Sequence, residues 1–209
     1  MTFAILCERS GRVRDALRAA GHHAVSFDLE PSDASGLHIQ GDIRDFEEYI
    51  LLFDAVIAFP PCTFLSNVGN RAMKEKPARR LLRQKAFEFV MWIWNMPHKY
   101  VCIENPKGYL NTHWRKPDQI IQPYYFGDRE MKTTCLWLRG FPPLIHSEGD
   151  MFFERTHTKK PEPKYILKHG KKSGQKVYFT ESKPGGKKSA IVRATTFPGI
   201  AAAMASQWS

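Results

Sequence analysis

One stretch limits the possible folds more than any other. Phe53-Asp54-Ala55-Val56-Ile57-Ala58 runs directly into Phe59-Pro60-Pro61-Cys62-Thr63-Phe64-Leu65-Ser66. A short apolar run containing β-branched residues and stopped by proline reads as a buried strand. Proline has no N–H to give a ladder, so two in a row end the strand. Cys62 therefore stands just past a strand end on a stiff loop, where open α/β sheets bind their ligands. A thiol in that place is a candidate nucleophile, although a lone cysteine also serves as a small buried hydrophobe.

The residues before this strand read as β-turn-α-β. Thr2 to Cys7 is strand-like, Glu8-Arg9-Ser10-Gly11-Arg12 is a turn, and Val13, Ala16, Leu17 and Ala20 recur at helical spacing until Gly21. Ala24 to Asp28 is a second strand, ending in an acid about 17 residues beyond Gly11. Such a turn aims helix N–H groups at a ligand, and an acid at the next strand end suits ribose hydroxyls. With one glycine instead of three, the turn also fits an ordinary βαβ unit. His38 to Ile43 is a short edge strand carrying Asp42 at its end, and Asp45 is placed to cap a short helix from Phe46 to Leu52.

Beyond a polar stretch, Asn67 to Pro77, the apolar spacing predicts a helix over Arg79 to Asn95. Lys99 to Ile103 is a strand leading into Glu104-Asn105-Pro106. Asp28, Asp42, Cys62 and Glu104 thus each terminate a strand-like run, and in a parallel sheet all four face one crevice. Asn111 to Asp118 reads as loop. Gln119 to Phe126 and Thr133 to Arg139 read as a strand pair joined by Gly127 to Lys132. Thr195 to Ala205 reads as a capped helix with Pro198 in its first turn.

With 209 residues there is room for one domain and a small appendage. No run of about 18 apolar residues occurs, so no membrane span is expected. The N-terminus lacks a leader pattern. Cys7, Cys62, Cys102 and Cys135 are far apart with no metal-type spacing, which suggests reduced thiols and no metal. The net charge of +10 is concentrated. Met151 to Arg193 carries twelve Lys/Arg against three Asp/Glu, and the remainder nineteen against eighteen. That is the footprint of a nucleic-acid partner, although a solvated basic loop has the same composition.

Taken together, these motifs resemble the DNA cytosine-5 methyltransferases, and more closely their short phage and prophage members. The family's Pro-Cys element corresponds to Phe59-Pro60-Pro61-Cys62 with Ser66 following, and its Glu-Asn-Val element to Glu104-Asn105-Pro106. Its glycine loop corresponds to Cys7 to Gly11 and its two strand-end acids to Asp28 and Asp42. The resemblance covers residues 1–140 and the last helix. It implies a Rossmann-like class I methyltransferase fold: α/β, a mostly parallel sheet with a C-terminal β-hairpin, and a small basic insertion. It also implies S-adenosyl-L-methionine as donor, DNA as partner and a flipped cytosine as acceptor. The expected division is a catalytic core at 1–144, a basic DNA-contact segment at 145–193 and a C-terminal helix at 194–209 packing back on the core.

On the same basis Cys62 adds to C6 of cytosine, Glu104 hydrogen-bonds the base, and Asn105 orders its loop. Ser10 and Gly11 face the donor's methionine part, Asp28 its ribose and Asp42 its adenine amine. Phe59 and Pro60 line the adenine and base pockets. Ser66, Lys132, Lys159, Lys160, Lys171, Lys172, Lys187 and Lys188 are expected to contact DNA. The expected location is the cytosol of a bacterium or phage-infected cell.

The sequence departs from the family at the glycine loop, where Arg9 and Arg12 stand near the expected methionine end. A more acidic sulfonium donor would suit a guanidinium, but solvent- or DNA-facing arginines are the preferred reading. Two alternatives remain. One is a same-fold DNA-cytosine modifier with a different sulfonium donor. The other is a non-catalytic DNA-binding relative, against which the joint presence of Cys62 and Glu104 argues. Trp114, beside Arg115 and Lys116, is a candidate platform for stacking on a base.

Overall fold

The computed structural model describes residues 1–67, 78–149, 154–168, 173–178 and 195–208. The strands are β1 (Thr2–Leu6), β2 (His23–Asp28), β3 (His38–Gln40), β4 (Ala55–Ala58), β5 (Tyr100–Pro106), β6 (Gln119–Ile121) and β7 (Thr134–Arg139). They form one sheet in the order β3-β2-β1-β4-β5-β7-β6. Neighbours from β3 to β5 are parallel, while β7 runs antiparallel to both β5 and β6. This is the expected mixed α/β arrangement, a mostly parallel, Rossmann-like sheet with a β6–β7 hairpin at one edge.

Alternate residues along each strand supply opposite faces. Phe3, Ile5 and Ile57 pack under α1 (Arg12–Ala19) and the C-terminal helix, while Ala4, Leu6 and Val56 pack with Ile50, Val90 and Ile93 on the other side. A strand buried on both faces needs apolar residues at every position, which explains why Ala55–Ala58 reads as an unbroken run. The remaining helices are α2 (Glu47–Ile50), α3 (Ala78–Asn95), α4 (Tyr109–His113) and α5 (Pro198–Gln207). Two-residue strands β8 (Tyr165–Ile166) and β9 (Lys176–Val177) pair within the basic segment.

Several local expectations change. Strand β6 stops at Ile121 because Pro123 follows and starts a 3-10 turn to Phe126. Asn111 to His113, read as the start of a loop, instead complete α4, while residues 114–118 form the loop as expected. The cap near residue 45 is Asp42, whose side chain accepts from the Arg44 amide ahead of a 3-10 turn over Ile43–Phe46. Helix α5 has no side-chain cap of its own; the Asp128 carboxylate accepts from the Gly199 amide at 2.8 Å. Strand β5 continues through Glu104 to Pro106 because β7 lies beside it, with Glu104 opposite Leu136. Trp114 packs into the molecule, 5.1 Å from Trp94 and 5.9 Å from Trp137 between ring centroids.

Candidate active site

The C-terminal ends of the strands carry two groups of chemically capable side chains. The first surrounds Cys62. Strand β4 ends at Ala58, Pro60 is buried, and Pro61, Cys62 and Thr63 are exposed. The amides of Leu65 and Ser66 donate to the Cys62 carbonyl at 3.0 and 2.9 Å, making a tight turn around the thiol. Asn105, fully enclosed, donates from Nδ2 to the Pro60 carbonyl at 2.8 Å. The Tyr109 amide donates to the Leu65 carbonyl at 2.7 Å, and Ser66 bridges Gly108. A methyl group on Gly108 would lie 2.2 Å from the Leu65 oxygen, so only glycine allows this approach. The Pro-Pro-Cys loop and the Glu-Asn-Pro strand end are thereby laced into one unit.

Glu104 opens onto a narrow cleft with Phe59, Lys132, Thr134, Thr196, Phe197, Ile200 and Met204. Burial pushes the Glu104 carboxyl above its usual range, against the opposing pull of Lys132. A shift in this direction favours the protonated form, the one able to donate to a ring nitrogen. Lys132 thus lies in the Glu104 cleft beside the Phe197 ring, with its ammonium 6.0 Å from the centroid.

The second group lies at the ends of β1, β2 and β3. Cys7 follows β1 in the left-handed conformation, φ 57°. Burial and the nearby carboxylates of Asp28 and Asp42 push its thiol up, so these acids share one corner. Asp28 accepts from the Glu30 amide at 2.9 Å and is raised by burial. Asp42 pairs with Arg44, whose hydrogen bonds hold it down at about 2.

The turn at Ser10 and Gly11 differs from the expectation. The amides of Val13 and Arg14, at the start of α1, do not open toward a ligand but donate to the buried Glu8 carboxylate at 2.7 and 3.3 Å. Ser10 Oγ donates to the same carboxylate at 3.3 Å. Burial lifts Glu8 to about 7 in spite of these donors. Arg12 is exposed and Arg9 lies part-exposed at the surface, in keeping with the preferred reading, and each is also held by the chain itself. Arg9 pairs with Asp33 at 2.6 Å, and Arg12 donates to the Thr196 carbonyl at 2.9 Å.

Sequence reasoning also passed over Arg14. It is wholly buried and donates to Ser26 at 3.1 Å, Ser32 at 3.3 Å and the Ser35 carbonyl at 2.8 Å, while pairing with Asp15 at 2.7 Å. Gly11 and Gly36, at φ 70° and 137°, make room for it, since a Cβ on either would come within 2.5 or 2.8 Å of its guanidinium. Glu8 was the more legible of the two, because an acid just ahead of a helix complements the helix dipole. Arg14 offered no signal, because a charged residue beside an apolar stripe reads as solvated.

The structure therefore groups Asp28 and Asp42 at one corner, Phe59, Lys132 and Glu104 in one cleft, and Pro60 with Asn105 by a direct bond. Lys159 and Lys160 are exposed on a segment that Thr158 ties to the core through the Tyr124 carbonyl at 2.9 Å. Lys171, Lys172, Lys187 and Lys188 lie outside the described residues. Among the described residues no group of three or more His, Cys, Asp or Glu is placed to hold a metal ion, and no helix is long and apolar enough to cross a membrane.

No family model matches the chain, and no curated protein sequence matches it significantly. Solved structures with a similar chain path include a DNA modification methyltransferase encoded within an E. coli prophage, at 15% identity and a TM-score of 0.43. That match covers 80% of this chain and 56% of the other. The Dnmt2 methyltransferase of S. pombe matches at 17% identity and a TM-score of 0.46, over 68% of this chain and 50% of its own. The chain thus spans about half the length of the structures it resembles.

Proposed function

We propose that this protein is a DNA (cytosine-5) methyltransferase that uses Cys62 as nucleophile and S-adenosyl-L-methionine as donor. The observation that carries the reading is the bond from Asn105 to the Pro60 carbonyl. It holds an exposed thiol at the end of β4 against the strand end that carries Glu104, whose carboxyl is raised by burial. A non-catalytic binder needs neither group.

In this mechanism Cys62 gives its thiol proton to water, the thiolate sulfur bonds to C6 of an extruded cytosine, and Glu104 gives its proton to N3, leaving electron density on C5. The donor supplies the methyl group as an electrophile at a sulfonium centre. Water then takes the C5 proton, the freed electron pair forms the C5–C6 double bond and expels Cys62 as thiolate, and Glu104 takes back the N3 proton, which restores the aromatic ring. The acids suit a cationic donor. Asp28 and Asp42 make the corner beside Cys7 negative, while Arg9 and Arg12 are taken up by Asp33 and Thr196. Glu8 fills the α1 amides, so the methionine carboxylate is not held there. Asp42 takes the adenine amine after releasing Arg44. These pairings argue against the alternative of a more acidic sulfonium donor. Lys159, Lys160, Lys171, Lys172, Lys187 and Lys188 supply phosphate contacts from the basic segment.

The test is a duplex containing 5-fluorocytosine incubated with the protein and S-adenosyl-L-methionine, followed by mass analysis. A covalent adduct on Cys62 carrying the added methyl group is expected, and none with Cys62→Ser. An adduct that persists in Cys62→Ser, or methylated product without any adduct, would overturn the mechanism.

A further inference from the structure

The first two turns of α3 read Ala78-Arg79-Arg80-Leu81-Leu82-Arg83-Gln84-Lys85, and the first turn holds no acid. Cations at a helix N-terminus oppose the helix dipole and cost roughly 0.3–1 kcal/mol each. A chain that accepts this cost at one place generally does so for function.

The place is the Cys62 loop. The Arg79 guanidinium carbon lies 5.0 Å from the Phe64 ring centroid, two residues past the thiol. Arg83 Nε donates to the Phe64 carbonyl at 2.8 Å, and its guanidinium stacks 5.0 Å from the Tyr109 ring centroid. Arg80 is exposed between them in sequence. Among the described residues the buried Nε of Arg79 has no hydrogen-bond partner. Planar guanidiniums braced on aromatic faces are pre-organised for two-point contact with phosphate oxygens.

Building on the function proposed above, we infer that the start of α3 is a phosphate-binding site for the DNA strand that carries the target base, separate from the basic segment at 145–193. Arg79 and Arg80 contact the backbone phosphates flanking the extruded nucleotide. Arg83 braces the Phe64 carbonyl, so that occupying the site and presenting Cys62 become one event. The basic segment gathers duplex from solution, and the α3 arginines fix the register of the strand at the thiol.

The experiment measures binding of a fluorescent duplex against salt for the wild type, the double variant Arg79→Gln/Arg80→Gln and the charge-keeping Arg79→Lys/Arg80→Lys. Thermal melting is recorded for each. In the Gln variant the slope of log affinity against log salt should fall by about 2, affinity at low salt should drop by about tenfold or more, and the melting temperature should hold or rise. The Lys variant should keep the slope. A Gln variant with the wild-type slope overturns the inference alone, and a lowered melting temperature with that slope would make the arginines mere braces for Phe64. A wild type that binds no duplex overturns the function reading and this inference together.

Discussion

The two sides of the strand-end crevice are held by different physics. On the side proposed to take the donor, around Glu8, Arg9, Arg14 and Asp42, charged groups are held by short hydrogen bonds to one another and to the backbone. On the thiol side the fastening is mostly neutral: an amide on a carbonyl, a bridge between two loops, and aromatic rings under guanidiniums. The reactive groups there, Cys62 and Glu104, are left exposed or in a cleft. The buried part of this network, Arg14 and Glu8, is costly to disturb and keeps one shape, whereas the exposed Arg9–Asp33 and Asp42–Arg44 pairs exchange easily. Neutral lacing is weaker, which suits the proposed role of a loop that accepts a strand of DNA and releases it.

The largest expected effect is on the donor side. Arg14→Met strands Ser26, Ser32 and the carbonyls of the 32–37 loop that the guanidinium gathers. A loss of about 3–5 kcal/mol is expected in urea unfolding, because breaking a buried ionic network leaves its partners uncompensated. A loss below about 1 kcal/mol would make the ionic lattice unimportant and remove the contrast between the sides.

Asn105→Ala breaks the thiol side. About 1–3 kcal/mol of stability should go with the bond to Pro60. Adduct formation on 5-fluorocytosine DNA should slow by at least tenfold, while calorimetric binding of S-adenosyl-L-methionine stays at the wild-type level. Equal losses in both readouts would show that the two sides act as one unit.

Glu8→Gln sharpens the comparison through pH. Burial lifts Glu8 from 4.5 to about 7, so the folded state holds this proton more tightly than the unfolded chain. The stabilisation is complete below pH 4.5 and is lost as pH rises through about 7. Gln keeps an acceptor for the Val13 amide but does not ionise. The variant should match the wild type at pH 5 and exceed it by roughly 2 kcal/mol at pH 8. A gap that does not change between these two pH values would show that Glu8 does not titrate in this range.

What could be read from sequence follows from the range of each interaction. The strand β4 and its proline stop are local, and they gave Cys62 its position. Asp28 sits where apolar alternation ends, so its place at a strand terminus was equally legible. Glu104 was read as an acid at a strand end, but its setting inside a paired strand was not legible, because β7 enters some thirty residues later in the chain. The caps show the same limit. Asp42 reaches two residues and Asp128 reaches Gly199 across 71, and no local rule connects the latter pair.

By itself the sequence determined the order of most strands and helices, the apolar faces and the strand-end placement of Asp28 and Cys62. These depend on backbone propensity, side-chain period and proline sterics, all expressed within a few residues. The tertiary structure alone decided which charges are consumed and which remain for chemistry. Arg9, Arg12 and Arg14 look alike in the sequence, yet one binds a carboxylate, one a distant carbonyl and one a buried loop. A charge is neutralised by what folding brings within about 3 Å of it, and that distance is set by the packing of the whole sheet.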